Sequence, residues 1–157
     1  MQKITPFLWF DGKAEEAMNF YVSVFKNSKV VRVTRRGDGG PGAKGTVMSA
    51  TFQLEGQDFF ALNGGPQFTF TPAISFFVNC ETQDEVDELW DKLSDGGKTE
   101  RCGWLKDRYG LSWQIVPSIL GKLLGDKDAT KANRVMQAML QMDKLDIKGL
   151  QDASNAG

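Results

Sequence analysis

Histidine is absent from the 157 residues, cysteine occurs twice, and nowhere do the roughly 18 uncharged apolar residues of a membrane-crossing helix run together. The missing histidine removes the commonest metal ligand and the commonest general base, so any catalysis has to use other groups. Cys80 and Cys102 lie far apart, with neither a CxxC pair nor a histidine to join them. That argues against a zinc knuckle or a disulfide framework and leaves two inert, half-buried thiols. An excess of one charge is also missing. The 19 basic and 20 acidic residues are interspersed and give a formal net charge of -1, which supplies no electrostatic footprint for nucleic acid or an anionic membrane surface. The opening Met1-Gln2-Lys3-Ile4-Thr5-Pro6 has no apolar core of signal length. The expectation is a cytoplasmic protein with no nucleic-acid partner and no membrane partner.

What is present is an ordinary globular composition, 41% hydrophobic and 25% charged, long enough for one domain with a real core. Ile4 to Phe10 is short and nearly continuous in apolar character, which suits a buried strand ended by Asp11-Gly12. From Ala14 the period changes. Ala14, Ala17, Met18, Tyr21 and Phe25 recur at three and four, the buried stripe of an amphipathic helix. Val30, Val31 and Val33, then Thr46 to Leu54, then Phe59 to Leu62 read as strands, with Glu55-Gly56-Gln57-Asp58 as a hairpin turn. The segment Gly37 to Gly45 holds five glycines and a proline. It lacks the GxxxxGK[ST] spacing and no helix follows it, so it reads as a flexible strand connection and not as a phosphate loop.

The order then recurs. Ala73 to Val78 reads as a strand, and Thr82-Gln83-Asp84-Glu85 as a capping box at a helix start. Val86, Leu89, Trp90 and Leu93 form that helix's apolar stripe before Gly96-Gly97. Lys98 to Trp104 and Leu111 to Val116 are further strand segments, with a third around Leu105 to Arg108. The chain therefore reads as a diverged internal duplication, about 60 residues per copy. After Pro117 it becomes helical: Ser118 to Leu124, then Ala132, Val135, Met136, Met139 and Leu140 at helix spacing. Those methionines serve either core packing or a subunit contact. Gln151 to Gly157, small and polar, is expected to fray.

The paired β-α-β-β-β plan resembles the glyoxalase-like (vicinal oxygen chelate) superfamily, and its local words resemble the PhnB-like branch, often labelled 3-demethylubiquinone methyltransferase-like. Those words are Pro6 to Ala17 with Phe20-Tyr21 and Phe25, Leu62-Asn63-Gly64-Gly65-Pro66, Ala73-Ile74-Ser75-Phe76, and Gly103 to Pro117. The resemblance implies an α+β fold in one domain over residues 1–157. Two βαβββ modules at 4–64 and 73–117 would curl mixed sheets around a cavity, followed by a helical segment at 118–150. It also implies a homodimer.

In catalytic superfamily members four side chains, usually histidine or glutamate, hold a divalent metal. The corresponding places here fall on Thr5 or Pro6, near Asn63, on Ala73 and on Gln114. Alanine and proline have no side-chain donor, and amide oxygens are weak neutral ligands. No metal and no cofactor is therefore expected, and conventional glyoxalase or dioxygenase chemistry is disfavoured. What remains is a cavity whose ligand-binding candidates are Thr5, Phe7 and Trp9 by strand alternation, with Asn63, Trp104 and Gln114 from other strands. The aromatics either line a ligand site or fill the core. Asn63 is either a buried amide seeking a partner or a turn residue before Gly64-Gly65.

Other chemistries read more weakly. Asp107-Arg108-Tyr109-Gly110 resembles the superfamily's turn before the final strand, with Asp107 capping and Gly110 left-handed. Ser75 and Ser112 have no histidine or lysine base for nucleophilic catalysis. Arg32, Arg35 and Arg36 either face an anionic ligand or guard a sheet edge against strand pairing. The first strand leads to its helix through Asp11-Gly12-Lys13 with no GxGxxG, unlike common S-adenosylmethionine enzymes. The methyltransferase label is thus expected to be an inherited name. The leading expectation is small-molecule binding without a metal; the alternatives are a lyase- or dioxygenase-type enzyme or a transferase, as the label says.

Overall fold

The computed structural model describes residues 2–37 and 43–156 and divides into two compact units, Met1–Thr69 and Phe70–Gly157. The first contains β1 (Phe7–Phe10), α1 (Ala14–Val24), β2 (Lys29–Arg35), β3 (Val47–Leu54) and β4 (Gln57–Asn63). Its sheet order is β1-β4-β3-β2, with β1 parallel to β4 and the other pairs antiparallel. Helix α1 presents Ala14, Ala17, Met18 and Tyr21, each at most 2% exposed, to one face of this sheet. Tyr21 stacks on Phe52 at 6.4 Å and Phe52 on Phe59 at 5.4 Å. Burying each such side chain contributes about 1.5–3 kcal/mol, so this aromatic stack ties α1 to the sheet.

The β3–β4 turn is tighter than the sequence implied. Gln57 already pairs with Leu54, leaving only Glu55 and Gly56 between the strands, at φ 50° and 79°. Two consecutive left-handed residues give the primed turn whose twist matches a hairpin. On the other side of β3, the ladder continues past β2 through Arg36 N–H to the Thr46 carbonyl (2.8 Å) and Gly45 N–H to the Arg36 carbonyl (3.0 Å). The middle of the glycine-rich segment, residues 38–42, lies outside the described residues.

The second unit repeats the plan with β5 (Ser75–Cys80), α2 (Gln83–Ser94), β6 (Lys98–Thr99), β7 (Trp104–Lys106) and β8 (Ser112–Pro117). The order β5-β8-β7-β6 matches the first sheet strand for strand, again with the first and last strands parallel. Thr82 Oγ1 accepts from Glu85 N–H at 3.2 Å, while the Glu85 carboxylate accepts from Glu81 N–H at 2.9 Å, one residue earlier than the simplest capping box. The strand expected over Lys98 to Trp104 stops at Thr99, because Cys102 and Gly103 stand at φ 61° and 83° and turn the chain away.

Beyond β8 come α3 (Ile119–Leu124), α4 (Ala129–Leu140) and α5 (Ile147–Asn155). Val116, Leu120, Val135, Leu145 and Leu150 form a buried cluster with Met139 and Met142 packed against it, so these two methionines serve core packing. The expected fraying from Gln151 does not occur up to Asn155. Leu150 and Ser154 are buried, and the Arg134 guanidinium donates to the Ala153 and Ser154 carbonyls, both at 2.9 Å, closing the end of α5. No helix among the described residues is long and apolar enough to cross a membrane.

Candidate functional site

Strand alternation divides each sheet into a face under its helix and an open face. In the first unit the register aligns two rows across all four strands of the open face. One is Phe7, Phe60, Thr51 and Arg32; the other is Trp9, Leu62, Ser49 and Thr34. Phe7 is 57% exposed and Phe60 37%, and their rings meet edge to face at 6.0 Å. The face thus grades from aromatic at β1 and β4 to hydroxyl-bearing at β3 and cationic at β2. Phe60, Leu62, Thr51 and Arg32 are the lining residues that sequence reading missed as a set. Their parity with Phe7 and Trp9 appears only once register is known.

Trp9 is held by the loop after β4. Its indole N–H donates to the Gly65 carbonyl at 2.9 Å, its ring meets Phe68 at 5.0 Å, and a Cβ on Gly64 would lie 2.4 Å from the ring. Glycine is required there by close approach. Gly64 N–H also donates to the Phe10 carbonyl at 2.9 Å. The Pro6-to-Ala17 and Leu62-to-Pro66 words are therefore one structural unit. Thr5 precedes β1, and its hydroxyl accepts a long 3.5 Å bond from the Gln2 amide.

Asn63 is placed elsewhere. It shares the helix-facing side of β4 with Phe59 and Ala61, away from Phe7 and Trp9. Its Oδ1 accepts from Ala14 N–H and its Nδ2 donates to the Val47 carbonyl, both at 2.9 Å. Lys13, at the helix N-cap position, provides no side-chain cap; Asn63 supplies one from 49 residues along the chain. The amide's need for partners is met inside the unit.

In the second unit Trp104 and Gln114 are register partners and Gln114 pairs with Phe77, while the Gln114 amide donates to Ser75 Oγ at 3.0 Å. Trp104 and Gln114 thus share the face opposite α2. Ser112, between Ser75 and Lys106 in register, is fully buried and its Oγ has no hydrogen-bond partner among the described residues. Asp107 acts as the expected turn residue. Its Oδ1 accepts from Tyr109 N–H (2.8 Å) and Leu111 N–H (3.1 Å), its Oδ2 accepts from the Trp113 indole (2.9 Å), and Gly110 is left-handed at φ 87°.

The arginines on and after β2 separate in role. Arg35 pairs with Glu15 on α1. The hydrogen bond from Arg35, with its charge, holds the Glu15 carboxyl below its ordinary range. Arg36 reaches the Asn63 carbonyl at 3.5 Å. Arg32 stands on the open face, opposite Thr51. Cys80 is buried, and desolvation, reinforced by the Glu85 and Glu81 carboxylates, pushes its thiol up to about 12. It is a poor nucleophile at neutral pH.

A divalent metal does not fit these residues. No group of three histidine, cysteine, aspartate or glutamate side chains is assembled among the described residues. Of the four superfamily places, Ala73 has no donor and Asn63 faces the helix with both amide ends engaged. Gln114, whose Nε2 donates to Ser75, offers only a neutral amide oxygen, a weak ligand by itself.

Comparisons with known proteins agree with this architecture. The sequence profile described as 3-demethylubiquinone-9 3-methyltransferase matches residues 2–116, leaving the C-terminal helices outside the match. A solved putative 3-demethylubiquinone-9 3-methyltransferase, PhnB protein, from Bacillus cereus is 46% identical, with 74% of this chain and all of that chain covered and a TM-score of 0.71. A protein from Pseudomonas aeruginosa is 21% identical over 74% of this chain and 98% of its own, with a TM-score of 0.63. The fosfomycin resistance protein FosX from Listeria monocytogenes, 12% identical over 75% of this chain and 93% of its own, shares the fold at a TM-score of 0.53. A comparison with functionally curated proteins finds no match. Carried by two identically ordered sheets and by family words that interlock in space, the chain belongs to the PhnB-like 3-demethylubiquinone-9 3-methyltransferase family, within the glyoxalase-like fold.

Proposed function

We propose that this PhnB-like protein binds a small, flat, largely apolar molecule on the open face of the first sheet, without a metal. The observation that carries the reading is the pair Phe7 and Phe60, whose rings stand 57% and 37% exposed on a sheet that already has a packed face elsewhere. Exposed aromatic surface with a few placed polar groups is the composition of a ligand site. Trp9 and Leu62 extend the patch. Trp104 and Gln114 are a second, smaller patch within the other unit.

Native mass spectrometry and thermal shift with a panel of bicyclic aromatic compounds test this. One-to-one complexes that weaken about tenfold or more in a Phe60→Ser variant support it; no stabilisation by any compound class removes it. The transferase in the family's name has no support from these residues. Neither sheet is doubly wound, and Asp11-Gly12-Lys13 between β1 and α1 is no dinucleotide turn. Stoichiometric binding of S-adenosylmethionine by calorimetry would reinstate it. Homodimerisation belongs to the same proposal. β1 and β5 are sheet edges, and Phe7 and Phe77 on them are 57% and 54% exposed. Light scattering that shows only monomer at tens of micromolar removes that part.

A further inference from the structure

The open face of the first sheet is graded, and the gradient specifies more than an apolar ligand. From Phe7 the register runs through Phe60 and Thr51 to Arg32, three strand-to-strand steps of about 4.8 Å, or about 14 Å in all. The neighbouring row ends in Ser49 and Thr34. None of Thr51, Ser49 and Thr34 makes a side-chain hydrogen bond among the described residues, and Arg32 pairs with no carboxylate among them. Arg35, by contrast, is tied to Glu15. The acidic residue on this face of β4, Asp58, lies one row further on and already accepts from Gln53 Nε2 at 2.8 Å. Lys29 is in that same row, so Lys29 and Arg32 outweigh Asp58 and the β2 side of the face is cationic.

The geometry points to an arene or alkyl-arene carboxylate as the ligand class, its flat body on Phe7 and Phe60 and its carboxylate on the Arg32 guanidinium, with the hydroxyls between. This rests on the reading that the face binds a small molecule. A planar guanidinium matches a carboxylate with two parallel hydrogen bonds, which a neutral group of the same shape cannot take up. The alternative role for Arg32, guarding the β2 edge against strand pairing, predicts no ligand discrimination at all.

Isothermal titration of the full chain with naphthoate, naphthamide and naphthylmethylammonium separates these readings. The expected result is naphthoate binding about tenfold or more tighter than naphthamide, and the ammonium weakest, from one charge-assisted interaction. Arg32→Gln is expected to abolish the preference and Arg35→Gln to leave it intact. Equal binding of naphthoate and naphthamide, or a preference that survives Arg32→Gln, overturns the carboxylate assignment and leaves the binding face standing. No binding of any of the three overturns both. Both arginine side chains are solvent-exposed, and unchanged far-UV circular dichroism verifies that the variants are folded.

Discussion

Replacing Asn63 with alanine tests whether this residue is structural. The residue is 9% exposed and its side chain makes two bonds of 2.9 Å, one closing the first turn of α1 at Ala14 and one satisfying the Val47 carbonyl. Alanine leaves a buried donor and a buried acceptor orphaned at about 1–3 kcal/mol each. The loss of the cap alone is worth about 1 kcal/mol, so the expected destabilisation is about 2–4 kcal/mol. Aspartate keeps the acceptor and places a negative charge at the helix N-terminus, worth about 0.3–1 kcal/mol. It also loses the donor to Val47 and faces that carbonyl with a carboxylate, so Asn63→Asp should fall between wild type and Asn63→Ala. Urea unfolding followed by far-UV circular dichroism measures both, with an unchanged m-value showing that only stability moved. A shift of less than about 0.5 kcal/mol for Asn63→Ala would refute the cap. So would a variant that keeps full stability but loses naphthoate affinity, because that would return Asn63 to the ligand face.

Four further outcomes follow from the same geometry. Gly64→Ala drives a Cβ to 2.4 Å from the Trp9 ring, so it should cost about 2–4 kcal/mol through overpacking and the lost indole bond and shift Trp9 fluorescence; unchanged emission and stability would contradict the cradle. Asp107→Ala removes three acceptor contacts at once and should destabilise by about 3 kcal/mol or more, with the near-ultraviolet dichroism of Trp113 as the local readout. Ser112→Ala deletes a buried hydroxyl without a partner among the described residues and is expected to be neutral or stabilising by up to about 1 kcal/mol; a loss above that value in urea unfolding means the hydroxyl has a partner in solution. Cys80, held to about 12 when folded against 9.0 when unfolded, should resist a thiol-specific disulfide reagent at pH 8 in the native protein. Because the unfolded chain ionises first, Cys80 also lowers stability as pH rises from about 9 toward 12, and Cys80→Ala should flatten that slope in pH-dependent unfolding.

The periodicity of α1 and α2 and the repeated strand order were legible in the sequence because each rests on local pattern. Ala14, Ala17, Met18 and Tyr21 have helix spacing whatever they pack against. The partners of Asn63 were not legible, for the opposite reason. Its role depends on Ala14, a residue brought to it only by parallel pairing of β1 with β4. That Phe60 and Arg32 share a face with Phe7 was not legible, because a one-residue change of register moves every side chain to the other face, and β2 carries irregularities near Val30 and Thr34. The polar appearance of Gln151 to Asn155 concealed a helix whose last carbonyls are capped by Arg134 from α4. A residue's hydrophilicity says little when its backbone is what is being bound.

The dependence of α1 on Asn63 also sets a timetable for synthesis. Hairpins β2–β3 and β3–β4 join neighbours in sequence, but β1 must wait for β4, about 50 residues behind it, and non-local closures of this kind are the slow steps of folding. By the time Asn63 has left the ribosome every pairing partner of the first sheet exists, whereas β8, the strand that would complete the second sheet, is still to be made. The first half can close while the second is still being translated. The bond at the Ala14 amide, which needs both ends of the unit, should then be one whose hydrogen exchange reports that closure.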